Sequence, residues 1–266
     1  MRIAVNGAAG AMGKRVIVAA VQSEDCDVVA ALESPGHPDL AKDAGIVAGV
    51  EPLGIAISSE LTGDPEVLVD FSVPAATLGR ARECAEAGVA VLIGTTGLSA
   101  EQRSEIEDEV AARVPVLIAP NMSVGINALY DLVERAAEVL GQGYDVEVIE
   151  AHHRRKKDAP SGTAMELARR LCAALEREPE TVLLYGRQGQ VGQRTGQEIA
   201  VHAVRGGDIV GDHTVLFAGP GERIELTHRA SSREVFARGA IRAARFLQGR
   251  APGLYAMRDV LRSAEG

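Results

Sequence analysis

Two hydrophobic rhythms divide the chain. Up to about residue 121, short unbroken runs of valine, isoleucine, leucine and alanine alternate with longer stretches whose apolar positions return at helical spacing. The runs at 3–5, 28–32, 67–71, 90–93 and 116–119 have the length and β-branched content of strands. The stretches at 11–21, 74–87 and 100–113 have the length of helices, and Pro74 stands in a first turn, where no amide is needed. Strands that lack a polar face are covered on both sides, so this half predicts a βαβ series building a doubly wound parallel sheet, an α/β fold.

Beyond residue 121 the rhythm changes. A helix is predicted at 125–140, a strand at 145–151 and a helix at 164–175. Three further runs, 198–204, 210–218 and 223–229, are joined by turns carrying Gly206 and Gly207, then Gly219, Pro220 and Gly221, which predicts antiparallel hairpins. An amphipathic helix at 233–247 is expected to return to the first domain. The organisation is thus a domain at 1–123 completed by 233–266, and a smaller α+β domain at 124–232 with a mixed or antiparallel sheet.

Composition narrows the function classes. The chain has 266 residues, enough for two modest domains with full cores. A net charge of −9 argues against general binding to nucleic acid or a membrane surface, and no apolar run approaches the ~20 residues of a membrane span. Cys26, Cys84 and Cys172 are odd in number and sit in apolar patterns, so they read as buried free thiols of a reducing compartment. Met1 leads at once into a strand pattern, and the expected location is the cytoplasm.

Against that acidic background, EAHHRRKKDAPSGT at 150–163 gathers two histidines and four consecutive cations, Arg154, Arg155, Lys156 and Lys157, between a strand and a helix start. The first amides of the helix after Ser161, Gly162 and Thr163 have no partner within it and carry the positive end of its dipole, a cradle for a carboxylate or phosphate. Gly162 allows close approach. Mutually repelling cations beside a helix N-terminus are best offset by an anion, so the segment predicts a site for an anionic small molecule.

A second site is predicted after the first strand. Gly7, Gly10 and Gly13 are spaced as GxxGxxG, offering a tight bend, a close backbone approach to pyrophosphate and close packing of helix on strand. Such turns are common in α/β proteins, and Glu33 adds weight: it ends the second strand, where a carboxylate can accept from an adenosine ribose. A carboxylate there repels a 2′-phosphate, and Ser34 follows rather than arginine, so NADH is expected to serve at least as well as NADPH. The segments at 70–72, 94–97 and 120–123 also fall at carboxyl ends of parallel strands, where such sheets bind ligands.

With these motifs in view the chain resembles the 4-hydroxy-tetrahydrodipicolinate reductase family. EAHHRRKKDAPSGTA at 150–164 is the most specific element, supported by VNGAAGAMG at 5–13, GTTG at 94–97, APNMSVGIN at 119–127 and RGGDIVGDHT at 205–214. The resemblance implies a Rossmann-like dinucleotide domain and a substrate-binding and oligomerisation domain, NADH or NADPH as cofactor, a dicarboxylate substrate, a homotetramer and a place in lysine and diaminopimelate biosynthesis. It implies His152 as general acid and Lys156 as the cation assisting it, with His153, Lys156, Ser161, Gly162 and Thr163 holding carboxylates. It also implies Gly7, Ala8, Gly10, Ala11, Met12, Gly13, Glu33, Ser34, Phe71, Gly94, Thr95, Thr96, Ala119, Pro120 and Asn121 as the dinucleotide site. Ala11 and Ser34 stand where some members have basic residues, and Arg155 where some have a third histidine.

Three other readings compete. A thiol-dependent semialdehyde enzyme needs a cysteine at a strand end, whereas Cys84 lies inside a predicted helix. A metal centre of His152, His153, His202, His213 and His228 lacks an i, i+4 pair or cysteine support, so no metal is expected. A dinucleotide-binding sensor module without catalysis has no use for a proton donor beside an anion cradle.

Overall fold

A computed structural model describes residues 1–263; the last three residues of the expected 233–266 return segment lie outside the described residues. In chain order the elements begin β1 (Arg2–Asn6), α1 (Ala11–Val21), β2 (Asp27–Leu32), α2 (Ala44–Ala48), β3 (Ile57–Ser58), β4 (Val67–Asp70), α3 (Pro74–Ala87) and β5 (Ala90–Ile93). They continue α4 (Ala100–Glu105), β6 (Pro115–Ile118), α5 (Val124–Leu140), β7 (Asp145–His152), α6 (Gly162–Ala174), α7 (Pro179–Val182) and β8 (Leu183–Leu184). The last are β9 (Ile199–Arg205), β10 (Gly211–Gly219), β11 (Glu222–Ala230), α8 (Glu234–Leu247), β12 (Gly253–Tyr255) and α9 (Met257–Arg262).

The chain divides into two compact units, Met1–Val124 with the segment from Glu234 onward, and Gly125–Arg233. The first holds a seven-stranded sheet in the order β12-β6-β5-β4-β1-β2-β3, every neighbouring pair parallel. Strands β4 and β5 are buried at every position, which is why they read as unbroken apolar runs. Fully burying each Val, Leu or Ile is worth roughly 1.5–3 kcal/mol, so these runs hold the centre of the sheet. The order reverses between β1 and β4, opening the crevice where doubly wound sheets take ligands. Helix α8 closes the unit with small buried residues; a Cβ at Gly239 would fall on the Met122 carbonyl, so this helix seats the turn after β6 closely.

The predicted helix at 100–113 is not uniform. It is α-helical to Glu105 and then widens through Ile106–Val110, with Ala111 N donating to Ile106 O at 2.9 Å. The short elements α2, β3, α7, β8, β12 and α9 carry too few residues for a periodic signal.

The second unit holds a five-stranded mixed sheet, β11-β10-β7-β9-β8. Strands β10 and β11 form the expected antiparallel hairpin. The other expected hairpin does not form, since β9 runs parallel to β7 and β10 pairs with the opposite edge of β7. The glycine turn at 206–207 vaults over the end of β7 instead of folding β10 back on β9. Its backbone is held by that end: Gly206 N donates to His152 O at 2.9 Å, His153 N to Ile209 O at 2.8 Å and Arg154 N to Gly207 O at 3.3 Å. A turn signal records a reversal of direction, not which strand becomes the neighbour. The vault places Arg205 and Gly211 on either side of the predicted histidine site.

Candidate active site

In the first unit, Gly7 follows β1 at φ 76°, and a Cβ there would strike the Phe71 carbonyl. Gly7 N and Ala8 N both donate to Leu32 O at 3.0 Å, and Gly10 N donates back to Gly7 O at 2.9 Å, closing a tight turn. A Cβ at Gly13 would land on that same Gly7 carbonyl, so this glycine lets α1 pack directly on the turn. Gly10 caps α1 without a side-chain hydrogen bond, leaving the helix entrance as bare backbone. Ala11 is exposed at that entrance, while Met12 packs against the core.

A cavity of about 610 Å³ opens beside the turn, lined by Gly7, Gly10, Glu33, Ser34 and Phe71 among others. Glu33 Oε1 accepts from Ala9 N at 2.9 Å, fixing the carboxylate against the glycine turn. The phosphate-sized backbone approach, the helix entrance and the strand-end carboxylate together fit a dinucleotide. Arg80 also lines the cavity, and its guanidinium is engaged by Glu83 and the Ser59 carbonyl. With Glu33, Glu60 and Glu83 on the same walls, the polar end of this cavity is acidic.

The remaining predicted contacts cluster on adjacent strand ends of the same sheet. The Phe71 ring lies against Gly94, which has no Cβ to clash with it. Thr96 is exposed, whereas the Thr95 hydroxyl turns inward and donates to Asp70 Oδ2 at 2.8 Å. Ala119 is buried beyond β6, Pro120 is exposed, and Asn121 Oδ1 accepts from Ser123 N at 2.9 Å. Asp70, 1% exposed, was not anticipated as a hub. It accepts from Asn6 at 2.7 Å, Ser72 at 2.6 Å and Thr77 at 2.6 Å as well as from Thr95, pinning the ends of β1, β4 and β5 together.

In the second unit, β7 runs one residue further than predicted and ends on His152. The inward face of β7 carries Val146, Val148, Glu150 and His152, so a carboxylate sits in an otherwise apolar row. Glu150 is fully buried and fully engaged. His152 Nδ1 lies 2.6 Å from its Oε2, Ser161 N donates to its Oε1 at 3.0 Å, and Arg205 grips both oxygens at 2.7 and 2.8 Å. Burial alone would raise this carboxyl; the bonds from His152, Arg205 and Ser161 outweigh it and hold it at about 2.

Ser161 caps α6, its hydroxyl accepting from Ala164 N and lying 3.2 Å from His213 Nε2. The His213 ring meets His152 edge-on at 5.2 Å, and burial, then the neighbouring His152 charge, pushes it down to about 3, so it is neutral near pH 7. The Ser161 amide expected in the anion cradle is therefore spent on Glu150. Gly162 is exposed at the helix entrance with open space where a Cβ would stand. Thr163 is half-buried in the same turn.

The basic run separates in space. Arg154, Arg155 and Lys157 are exposed, whereas Lys156 is half-buried with its ammonium 2.9 Å from Asp158 Oδ1. His153 turns to Arg233, 3.2 Å away, and is lowered first by burial and then by the charges of Arg155 and Arg233. Sequence reasoning missed Glu150, Arg205 and His213 as members of this network. A signal was present for the first: Glu150 and His152, two apart on a strand, must share a face.

The competing thiol and metal readings gain nothing here. All three cysteines are buried, and burial raises Cys26 to about 11 and Cys84 to about 12, away from nucleophilic thiolates. Among the described residues no group of three His, Cys, Asp or Glu side chains is placed to hold a metal ion, and no helix is long and apolar enough to cross a membrane.

Comparison with known proteins identifies the family. Residues 1–122 match the family described as dihydrodipicolinate reductase, N-terminus, and residues 125–261 match its C-terminus. The chain is 49% identical over 264 residues to 4-hydroxy-tetrahydrodipicolinate reductase of Syntrophotalea carbinolica, covering 98% of both chains. It is 51% identical over 264 residues to the enzyme of that name from Thiobacillus denitrificans, again covering 98% of both. Among solved structures it resembles a dipicolinate-bound dihydrodipicolinate reductase from Paenisporosarcina sp. TG-14, with a TM-score of 0.78, 25% identity, and 96% of this chain and 97% of that one covered. The chain therefore belongs to the dihydrodipicolinate reductase family of NAD(P)H-dependent oxidoreductases.

Proposed function

We propose that this protein reduces 4-hydroxy-tetrahydrodipicolinate to tetrahydrodipicolinate in the cytoplasmic route to diaminopimelate and lysine. The observation that carries the reading is the end of β7, where a histidine backed by a buried carboxylate stands beside a helix entrance and a half-buried lysine. The net change replaces a ring hydroxyl by hydrogen, using one hydride and one proton and releasing water. The first unit binds the dinucleotide through Gly7, Gly10, Gly13 and Glu33, and the reduced nicotinamide supplies the hydride.

The second unit does the rest. Loss of the ring hydroxyl together with a neighbouring ring proton, as water, leaves a conjugated ring; hydride addition to that ring spreads negative charge toward the ring nitrogen and its carboxylate, and Lys156 offsets that charge as it develops. His152 delivers the proton. Gly162 and the α6 entrance, with His153 and Thr163, receive the carboxylates; substrate displaces Asp158 from Lys156. Because Glu33, Glu60 and Glu83 share the dinucleotide cavity with a single arginine already engaged, a 2′-phosphate meets repulsion there, and NADH serves at least as well as NADPH. Exposed Ile149, Val204 and Ile224 on the five-stranded sheet support pairing between subunits, and the family resemblance supports a homotetramer.

The test condenses aspartate semialdehyde with pyruvate by a synthase in the cuvette and follows nicotinamide oxidation with each cofactor. Oxidation that depends on the condensation product supports the reading. Dinucleotide binding without such oxidation would leave a sensor module.

A further inference from the structure

We propose that Glu150 is a positioning residue: it fixes which ring nitrogen of His152 faces the substrate, and with the same carboxylate locks that ring to the Ser161 turn. The inference rests on His152 being the proton donor. Its basis is four hydrogen bonds from three partners. Glu150 touches His152 from its own strand, Arg205 from β9 and the Ser161 amide from the start of α6, all between 2.6 and 3.0 Å, while itself fully buried.

An ionised carboxylate can only accept, so Nδ1 of His152 must carry its proton and Nε2 is left for chemistry. The surroundings keep that arrangement. A Cβ at Gly211 would stand 3.0 Å from Nε2, so the glycine leaves that nitrogen unobstructed. His213 packs against the ring edge from β10 without joining its hydrogen bonds, since its own Nε2 faces the Ser161 hydroxyl. The titratable and charged groups around His152 are thus Glu150 on β7, Arg205 on β9, His213 on β10, and His153 and Lys156 on the loop that follows. Of these, Glu150 is the anion in direct contact, 2.6 Å from Nδ1.

The arrangement has a second consequence. A carboxylate shared by His152 and Ser161 couples the proton donor to the anion cradle, so a displaced ring also displaces the helix entrance. Losing Glu150 therefore acts on turnover more than on cofactor binding, which belongs to the other unit.

Two measurements decide the matter. Nitrogen-15 spectra of histidine-labelled enzyme, with His152→Gln used to assign the signal, read the tautomer without any turnover. The proposal expects the Nδ1–H form of neutral His152 in the unaltered enzyme and a mixed population in Glu150→Gln. In the reductase assay, Glu150→Gln is expected to lower kcat on the order of a hundredfold with KM for NADH unchanged. An Nε2–H tautomer in the unaltered enzyme overturns the proposal. So does a Glu150→Gln enzyme that is less heat-stable yet keeps the Nδ1–H form of His152 unmixed, the mark of a purely structural role. Absence of turnover in the unaltered enzyme would instead strike the proposed reaction, and the tautomer would still report on Glu150.

Discussion

Replacing Arg205 by methionine isolates the energetic cost of the buried carboxylate. The pair is well defined: Glu150 is 0% exposed, Arg205 20%, and two charge-assisted hydrogen bonds join them. Removing one partner of such a pair leaves an uncompensated buried charge and costs about 3–5 kcal/mol. The Glu150 carboxyl is held at about 2 against an ordinary 4.5 by His152, Arg205 and the Ser161 amide together, and at about 1.36 kcal/mol per unit the three contribute about 3 kcal/mol of folding free energy near pH 7, of which Arg205 supplies a share. A depressed carboxylate contributes its stability above its unfolded value and loses it as pH falls toward its folded value. Arg205→Met should therefore lose about 3–4 kcal/mol at pH 7, and its deficit should narrow as pH falls from about 4.5 toward 2. Denaturant titrations of both proteins at one protein concentration, at neutral and acid pH, measure this. A loss under about 1 kcal/mol at pH 7, the value of an exposed pair, would refute the reasoning, as would a deficit that does not depend on pH.

Lys156→Ala should lower kcat/KM for the ring substrate by on the order of a hundredfold while leaving nicotinamide affinity intact, measured by steady-state kinetics and dinucleotide titration. Ser34→Arg should shift the ratio of kcat/KM toward NADPH by about tenfold, because a cation would then stand beside Glu33 at the cavity wall; parallel kinetics with both cofactors check it. Asp70→Ala should cost about 3 kcal/mol or more in denaturant unfolding and weaken dinucleotide binding, since three buried donors and the half-buried Ser72 hydroxyl lose their acceptor.

The legible part of this molecule is the part written in local pattern. Runs buried on both faces, such as 67–70 and 90–93, announce a central parallel strand, and the glycines at 7, 10 and 13 announce a turn because backbone crowding there leaves no room for a side chain. What escaped depends on long-range pairing. The parallel neighbour of β7 is a strand some fifty residues later, and nothing in the glycine turn at 206–207 distinguishes a hairpin from a vault over an intervening strand. Arg205 and His213 acquire their roles only through that topology. Likewise, composition and spacing do not separate the four cations at 154–157; only the family resemblance singles out Lys156, the one that the fold half-buries. Asp70 is a single acidic letter at a strand end until three other elements supply its donors.

The proposed reaction takes hydride from the dinucleotide and a proton from His152. The most direct measurement supplies nicotinamide deuterated at its transferring carbon and analyses the isolated product from the unaltered enzyme and from His152→Gln. Deuterium should be incorporated by the first at a steady rate, and by the second at a rate lower by about two orders of magnitude or more with cofactor binding retained. Incorporation by His152→Gln at the unaltered rate would contradict it.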